Sequence, residues 1–463
     1  MKRVDQVIGR VGVGQPVRTT PVRVPAAARL VLGLAILVLL GAILLSLPGM
    51  TTRPLSLIDR LFTAVSAVTV TGLSVASTST DFTALGQLVI LLLVQIGGLG
   101  FVVMVVLTLL LIGRPLTLTD RLALTSEMGL EKPGSIQVIL GRTLLIMVVI
   151  EAIGAVLLYF HWSQNEIAPT ERTIFYAIFH SVMAFCNAGF DLFAGLPQYP
   201  GGLPNDILTL FILGMLVIFG GLGIPVYMDI LFRHGYHRFS LTSRITMLSA
   251  FILVMAGMIG LMIGELHPEG LLRDSPFFHR LVIAWFQSVS ARTAGFPGLE
   301  SFDALHQSSR LLLIALMFIG SGPASMGGGI TTGTFAVLTV VMVSYLRGRK
   351  QPVIFHRTIS AGTVNRATAV LLVSIGIVGL ATWLLLLTHP FQLNLALFEV
   401  VSAYATVGLT LGVTPELNDF GRLLIAFVMF WGRLGAMTIM IVLLQRRVNS
   451  QLISYPEETL LVG

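Results

Sequence analysis

Four short stretches of this 463-residue chain share a pattern whose chemistry lies in the backbone. Val70-Thr71-Gly72, Asn187-Ala188-Gly189, Thr293-Ala294-Gly295 and Thr406-Val407-Gly408 each end in a glycine, and an aromatic residue stands nine or ten positions earlier: Phe62, Phe179, Phe286 and Phe398. A large apolar residue follows each glycine at once (Leu73, Phe190, Phe296, Leu409). A monovalent cation that sheds its water needs oxygens in replacement. Backbone carbonyls supply them when successive residues aim inward, and glycine reaches the required dihedral angles without steric cost. Four such turns in one chain can form a ring of four unequal strands. If short helices lead into the turns, their partly negative C-terminal ends favour a cation.

The elements that must hold these turns are membrane elements. The chain is 55% hydrophobic and 11% charged, with a mean hydropathy of +0.90, whereas a soluble domain carries about 25% charged residues. Runs long enough to cross a bilayer occupy 30–52, 82–113, 143–165, 207–228, 245–264, 311–346, 367–388 and 423–445, against the ~20 residues a span requires. Eight spans place both termini on one side. Lys2, Arg3, Arg10, Arg18, Arg23 and Arg29 precede the first span, Arg114, Arg121, Lys132, Arg142, Arg233, Arg238 and Arg244 fill loops of the same face, and Arg347, Arg349, Lys350, Arg357 and Arg366 lie between spans six and seven. That face is cytoplasmic by the positive-inside rule, which also accounts for the net charge of +7 without nucleic acid. The first 27 residues do not read as a removable signal peptide, and the single cysteine, Cys186, excludes an internal disulfide.

The apolar stretches before the four glycines are too short to span and suit helices that enter from outside and stop partway. The chain therefore reads as an all-α polytopic membrane protein: span, re-entrant helix, turn, span, four times over in pseudo-four-fold arrangement. Its segments are an N-terminal segment 1–27, repeats 28–113, 138–232, 245–347 and 366–446, and a C-terminal tail 447–463. Non-helical backbone at membrane depth survives only where protein buries it or water reaches it, so four turns imply a shared aqueous or ion-lined axis.

A second set of glycines follows each turn: "QIGGLGF" (95–101), "IFGGLGIP" (218–225), "FIGSGPASMGGGITTGT" (318–334) and "FWGRLGAM" (430–437). The first two read as close helix packing through small residues. The third cannot be a regular helix, because Gly320, Gly322, Gly327, Gly328, Gly329 and Gly333 cost roughly 1 kcal/mol each there and Pro323 about 3. One broken span is expected, with a loop over 320–333. Arg433, in mid-span, costs at least a few kcal/mol unless it is paired or hydrated; directed at loop carbonyls, it would be hydrated and would repel cations.

Thr406-Val407-Gly408 matches the opening of the potassium-channel filter sequence. The whole pattern resembles the membrane subunits of the Ktr potassium-uptake systems, within the Trk/Ktr/HKT superfamily, from about residue 28 to the C-terminus. "FCNAGF", "SARTAGF", "ATVGL", the interruption at 318–334, "GRLG" (432–435) and the closing "YPEETLLVG" carry the resemblance. It implies bacterial plasma-membrane potassium uptake through a filter whose glycines fall at Gly72, Gly189, Gly295 and Gly408. The interrupted span then corresponds to an intramembrane gating loop, and Arg433 to the arginine directed at it. The resemblance also implies a homodimer, a cytoplasmic ring of RCK-type nucleotide-binding regulatory subunits of the KtrA kind, no cofactor in this chain, potassium as the substrate ion and sodium as a candidate activator. Many relatives carry a lysine where this chain has Thr331, and Ser74, Asp191, Pro297 and Thr410 replace the second glycine of the potassium-channel filter.

Among the other polar residues, Glu151 within the third span is either functional or bonded to a neighbouring helix. Asp191 faces an outer vestibule, where it either concentrates cations or is a solvated charge. Arg292, two residues before Ala294, braces the filter from behind rather than lining the ion path, where a cation would oppose conduction, and His180 and Cys186 are packed residues, with no spacing for a metal site. The basic loops suit a docked partner or anionic lipid. A cation-coupled secondary transporter, a sodium/potassium or proton/potassium symporter, is the alternative, since such proteins also use broken helices at the midplane. An enzyme is not expected, because Glu151 and Arg433 alone do not make a converging nucleophile and base in the spans; neither H-E-x-x-H nor a phosphate-binding G-x-x-x-x-G-K-[ST] occurs, and no G-x-G-x-x-G follows a recognisable strand, so the chain carries no visible nucleotide domain.

Overall fold

A computed structural model describes residues 26–98, 136–199, 201–233, 235–267, 270–273, 275–299, 301–349 and 351–435. The expectations for most of 1–27, for 99–113 with Arg114, Arg121 and Lys132, for Lys350, for the end of span 423–445, for the closing YPEETLLVG and for the tail 447–463 lie outside the described residues.

The pattern of a first helix, a short helix, a glycine turn and a second helix recurs four times. The first copy comprises α1 (Ala26–Leu45), α2 (Leu57–Val68) and α3 (Ala84–Gly98). The second comprises α4 (Ile136–Gln164), α5 (Thr173–Cys186), α6 (Ile207–Leu222) and α7 (Ile224–Phe232). The third comprises α8 (Leu241–Gly264), α9 (Phe277–Ser290), α10 (Gln307–Phe318) and α11 (Thr332–Leu346). A two-stranded hairpin, β1 (Val353–Ile354) and β2 (Arg357–Thr358), precedes the fourth copy, α12 (Ala361–Thr388), α13 (Leu393–Tyr404), the short α14 (Val413–Glu416) and α15 (Asp419–Leu434).

Caps written in the sequence fix where these helices begin. Ser56 and Asp59 form a reciprocal capping box on α2, and Asp206, Ser240, Thr331, Ser360 and Asn418 each accept a backbone N–H of the first turn they precede. Such side chains satisfy N–H groups that have no partner within the helix.

Among the described residues, three helical stretches are long and apolar enough to cross a bilayer: Gly141–Gln164, Leu241–Gly264 and Ala361–Thr388. Their outer faces expose Val148, Phe160, Phe251, Ile263, Leu372 and Trp383, a surface that lipid rather than water accommodates. One further pair, α6 and α7, is long and apolar enough only when taken together, and its two helices meet at 88°. This corrects the expectation of a single broken span. The bend falls on Gly223, at φ +84°, where a side chain would run into the carbonyl of Pro323. Pro225 starts α7 without an N–H to lose. The expected break after Phe318 is also present, and residues 319–331 form a loop between α10 and α11.

Closure comes from neighbour packing. Each short helix lies against the first helix of its own copy, and each second helix lies against the short helix of the next copy: α3 on α5, α6 on α9, α10 on α13, and α15 back on α2. The spacing landmarks are the core of this arrangement. Phe62, Phe179, Phe286 and Phe398, with Leu73, Phe190, Phe296 and Leu409, are all at most 1% exposed.

Candidate functional site: a ring of four turns over a glycine-rich loop

The four turns meet. A Cβ placed on Gly72 would strike the carbonyl of Ala188; on Gly189, that of Ala294; on Gly295, that of Val407; and on Gly408, that of Thr71. Each glycine thus abuts the backbone of the following turn, and the fourth closes on the first. All four also have positive φ, at +90°, +63°, +74° and +99°, a region side chains rarely adopt.

Two residues before the glycine, Val70, Asn187 and Thr406 also lie in the left-handed region, at φ 59°, 61° and 50°, with Thr71, Ala188 and Val407 outside it. Thr293 does not share that conformation. The cause is visible in the spacing: the third turn is one residue shorter, nine positions from Phe286 to Gly295 against ten elsewhere. Its three amides, from Thr293, Ala294 and Gly295, all converge on the carbonyl of Ser290. In the first and fourth turns the glycine amide instead donates to a side chain, Gly72 to Ser66 Oγ at 3.0 Å and Gly408 to Ser402 Oγ at 3.1 Å.

A cavity of 480 Å³ opens on the glycine side of the ring. All four glycines line it, as do Ser74, Asp191, Pro297 and Thr410, the residues two places further on. Asp191 therefore faces the vestibule as expected, but it is not a solvated charge. It is 8% exposed, Oδ1 accepts from the amide of Phe193 at 2.7 Å, and the same oxygen lies 2.9 Å from His180 Nε2. His180 is packed among Trp162, Tyr176, Phe179 and Phe193, so it is both a core residue and the partner of Asp191.

That contact exposes a bracing position the sequence reading missed. Nine residues before the glycine stand His180 in the second copy and Glu399 in the fourth; eight before it, in the shortened third copy, stands Gln287. Each grips the chain just beyond its own glycine. Glu399, fully buried, accepts from Thr410 Oγ1 at 2.7 Å and from Thr414 Oγ1, and Gln287 Oε1 accepts from the amide of Gly298 at 2.9 Å. The counterpart in the first copy, Thr63, bonds within its own helix to Asp59. The spacing from the glycine is the signal that finds them.

The glycine-rich loop lies across the other side of the ring. The amide of Gly328 donates to Thr406 Oγ1 at 2.9 Å, side chains on Gly327 or Gly329 would press on Thr293 or Ala405, and Arg292 Nη2 donates to the carbonyl of Gly320 at 3.2 Å. Arg292 thus reaches the loop. Arg433 touches loop backbone as expected: Nη1 donates to the carbonyl of Met326, and Nη2 to that of Gly97 at 2.5 Å. Thr331 caps α11 through a bond from the amide of Thr334 at 3.3 Å, and Gly333 sits in the first turn of α11 beside Pro323.

The bend at Gly223 now has a reason. It frees the last carbonyls of α6, and the loop takes them: Gly322 N donates to Gly221 O at 3.0 Å and Met326 N to Gly220 O at 3.4 Å, while Ile224 N donates to Ala324 O at 3.2 Å. The glycines of the first two clusters pack closely as well. Gly97 lies against the carbonyl of Val68, Gly98 against Cys186 and Gly220 against the carbonyl of Phe185. Asn187 ties the second turn to the third: oriented as its neighbours require, its amide nitrogen donates to Ala184 O and Val217 O, and its oxygen accepts from Thr293 Oγ1 at 2.8 Å. Glu151 is hydrogen-bonded to a neighbouring helix, by Gln95 Nε2 at 2.9 Å, with the Cys186 thiol nearby.

The helical architecture, the closed ring and the apolar outer faces define a multi-pass membrane protein. The model of the TrkH cation transport proteins matches residues 34–451. Ktr system potassium uptake protein B of Vibrio alginolyticus is 37% identical over 425 residues, covering 91% of this chain and 92% of that protein. The protein of the same name from Bacillus subtilis is 36% identical, covering 96% and 98%, and the potassium/sodium uptake protein NtpJ of Enterococcus hirae is 33% identical, also covering 96% and 98%. The crystal structure of the potassium transporter TrkH from Vibrio parahaemolyticus shares the fold, with a TM-score of 0.73 at 18% identity over 92% of this chain and 87% of that one. The chain belongs to the TrkH family of cation transport proteins.

Proposed function

We propose that this chain carries potassium ions across the bacterial plasma membrane through the ring, with Val70 to Gly72, Asn187 to Gly189, Thr293 to Gly295 and Thr406 to Gly408 as the selectivity filter. In this reading the chain makes eight spans in four repeats, with both termini in the cytoplasm. The observation that carries it is the closed cycle of contacts from each turn glycine to the next turn's carbonyl, which leaves carbonyl oxygens gathered round one axis, where they can replace a cation's hydration shell. Residues 320–333, lying across that axis and held by Thr406, Arg292 and Arg433, act as the gate. A nucleotide-binding cytoplasmic ring moves that gate, and two chains associate as a homodimer, each with its own ion path. The names of the potassium-uptake relatives support the ion assignment.

The test is rubidium uptake by liposomes holding the purified chain, with potassium or sodium as competitor, for wild type and Gly408→Ser. A side chain at Gly408 meets Thr71 O and is held at positive φ, a strain of about 1–3 kcal/mol. Potassium should compete better than sodium in wild type, and the substitution should weaken that preference by about tenfold. Strong uptake with a preference that ignores the substitution removes the filter assignment.

A coupled transporter is the second reading. Two adjoining broken segments, at Gly223 and at 319–331, favour it, as does the potassium/sodium name of one relative. Uptake that persists with sodium absent and no proton gradient removes it.

A further inference from the structure

A cavity of 240 Å³ lies outside the ring, walled by α6, α8 and α9. Its two ends differ. At the outer end stands Phe251, 66% exposed on the apolar face, with Ala250 beside it; at the inner end are Arg292, Thr293 and Ser321, exposed by 7%, 2% and 3%. Everything between is apolar, with Trp285 in the wall.

Arg292 is the anomaly in this space. Among the described residues its guanidinium donates one bond, to the neutral carbonyl of Gly320, and its Nε has no partner. No carboxylate pairs with it among those residues. Breaking or omitting the partner of a buried charge is costly, by several kcal/mol. Gly320 follows the 12 residues of α10, about 18 Å of helix, so the bond holds Arg292 within the helical layer, that distance from where α10 begins.

We infer that this cavity binds a single-chain carboxylate amphiphile, a free fatty acid, with its carboxylate on Arg292 and its chain leading out past Phe251 into the bilayer. Charge complementarity selects the head: one buried cation at the end of an apolar slot calls for one anion on an apolar body. Depth selects the source, because a two-chain phospholipid keeps its headgroup at the interface, whereas a fatty acid crosses the core in its protonated, neutral form. The proton leaves as the carboxyl meets the guanidinium and returns to water. The volume accommodates roughly eight methylenes, each about the size of a water, and a longer chain continues into lipid. The site does not depend on which ion passes through the ring. An occupant touches Thr293 of the third turn and Ser321 of the loop.

The experiment uses the full chain in lipid nanodiscs, titrated with a terminally brominated undecanoic acid and with its methyl ester, reading quenching of tryptophan fluorescence. The acid should give a saturable component on top of linear partitioning, the ester at least about tenfold weaker binding, as expected for one lost charged hydrogen bond. Trp285→Phe should abolish the saturable signal, and Arg292→Gln should erase the difference between acid and ester. Linear quenching by both probes in wild type, equal affinity for acid and ester, or a saturable signal that survives Trp285→Phe overturns the proposal. The wild-type comparison of acid and ester decides even where a variant fails to fold.

Discussion

Thr406 Oγ1 accepts the amide of Gly328 at 2.9 Å, so one side chain of the fourth turn is also an anchor of the loop that crosses the ring. Thr406→Val keeps the shape and removes the acceptor, leaving a half-buried N–H unpaired at about 1 kcal/mol. Rubidium uptake by the chain without any regulatory partner should rise about fivefold or more, and Thr406→Ser should behave as wild type. Equal uptake in Val and wild type would mean that this bond does not hold the loop.

Arg433 bridges two carbonyls that belong to different repeats, Met326 and Gly97. A lysine has one compact charge in place of a planar fork and cannot hold both. Arg433→Lys and Arg433→Ala should both raise partner-free uptake, Ala more, while potassium and sodium keep their relative competition. A change in ion preference without a change in rate would place Arg433 in the wrong role.

Glu399 grips Thr410 and Thr414 behind the fourth turn. In Glu399→Ala both hydroxyls lose their acceptor, and the potassium preference in competition assays should weaken severalfold. Glu399→Gln, which retains one carbonyl oxygen, should fall between the two. The same exchange at Thr63, whose bond stays within its helix, should leave preference unchanged.

Outside the membrane, Arg53 and Asp81 form a two-bond pair at 2.8 Å. The bond from Arg53, assisted by the Ser77 amide, holds the Asp81 carboxyl below its ordinary value. A depressed carboxyl stabilises the fold fully above the unfolded value near about 3.9, and the contribution is lost as pH falls through the lower folded value. Thermal melts in detergent should show Asp81→Asn below wild type at neutral pH, with the gap closing as pH falls below that unfolded value. Arg53 is well exposed, so the gap is small. A gap that widens in acid contradicts the assignment.

Much of this architecture was legible because its landmarks are local. An aromatic residue, a glycine nine or ten places on and an apolar residue after it mark a helix end followed by a turn, and the third loop announces itself by six glycines and Pro323. The bend at Gly223 was not legible. "GGLG" reads equally well as a packing stripe, and what decides between them is the capture of the Gly220 and Gly221 carbonyls by amides about a hundred residues later. Glu399 and Gln287 were missed for a related reason: a lone polar residue on a short helix carries no pattern until copies are compared from their glycines. For Asp191 a solvated charge stayed open as one of two readings because its partner, His180, is brought to it only by the turn between them.

The ring is made of one chain, and its four quarters differ: one carries Asn187, one is a residue short, and one keeps Thr406-Val407-Gly408. In an assembly of four identical subunits every inherited change strikes the axis four times. Here a mutation arrives at one quarter of the dose. Each quadrant can drift, be tested and be kept separately, so the ring can change by small steps along a single gene.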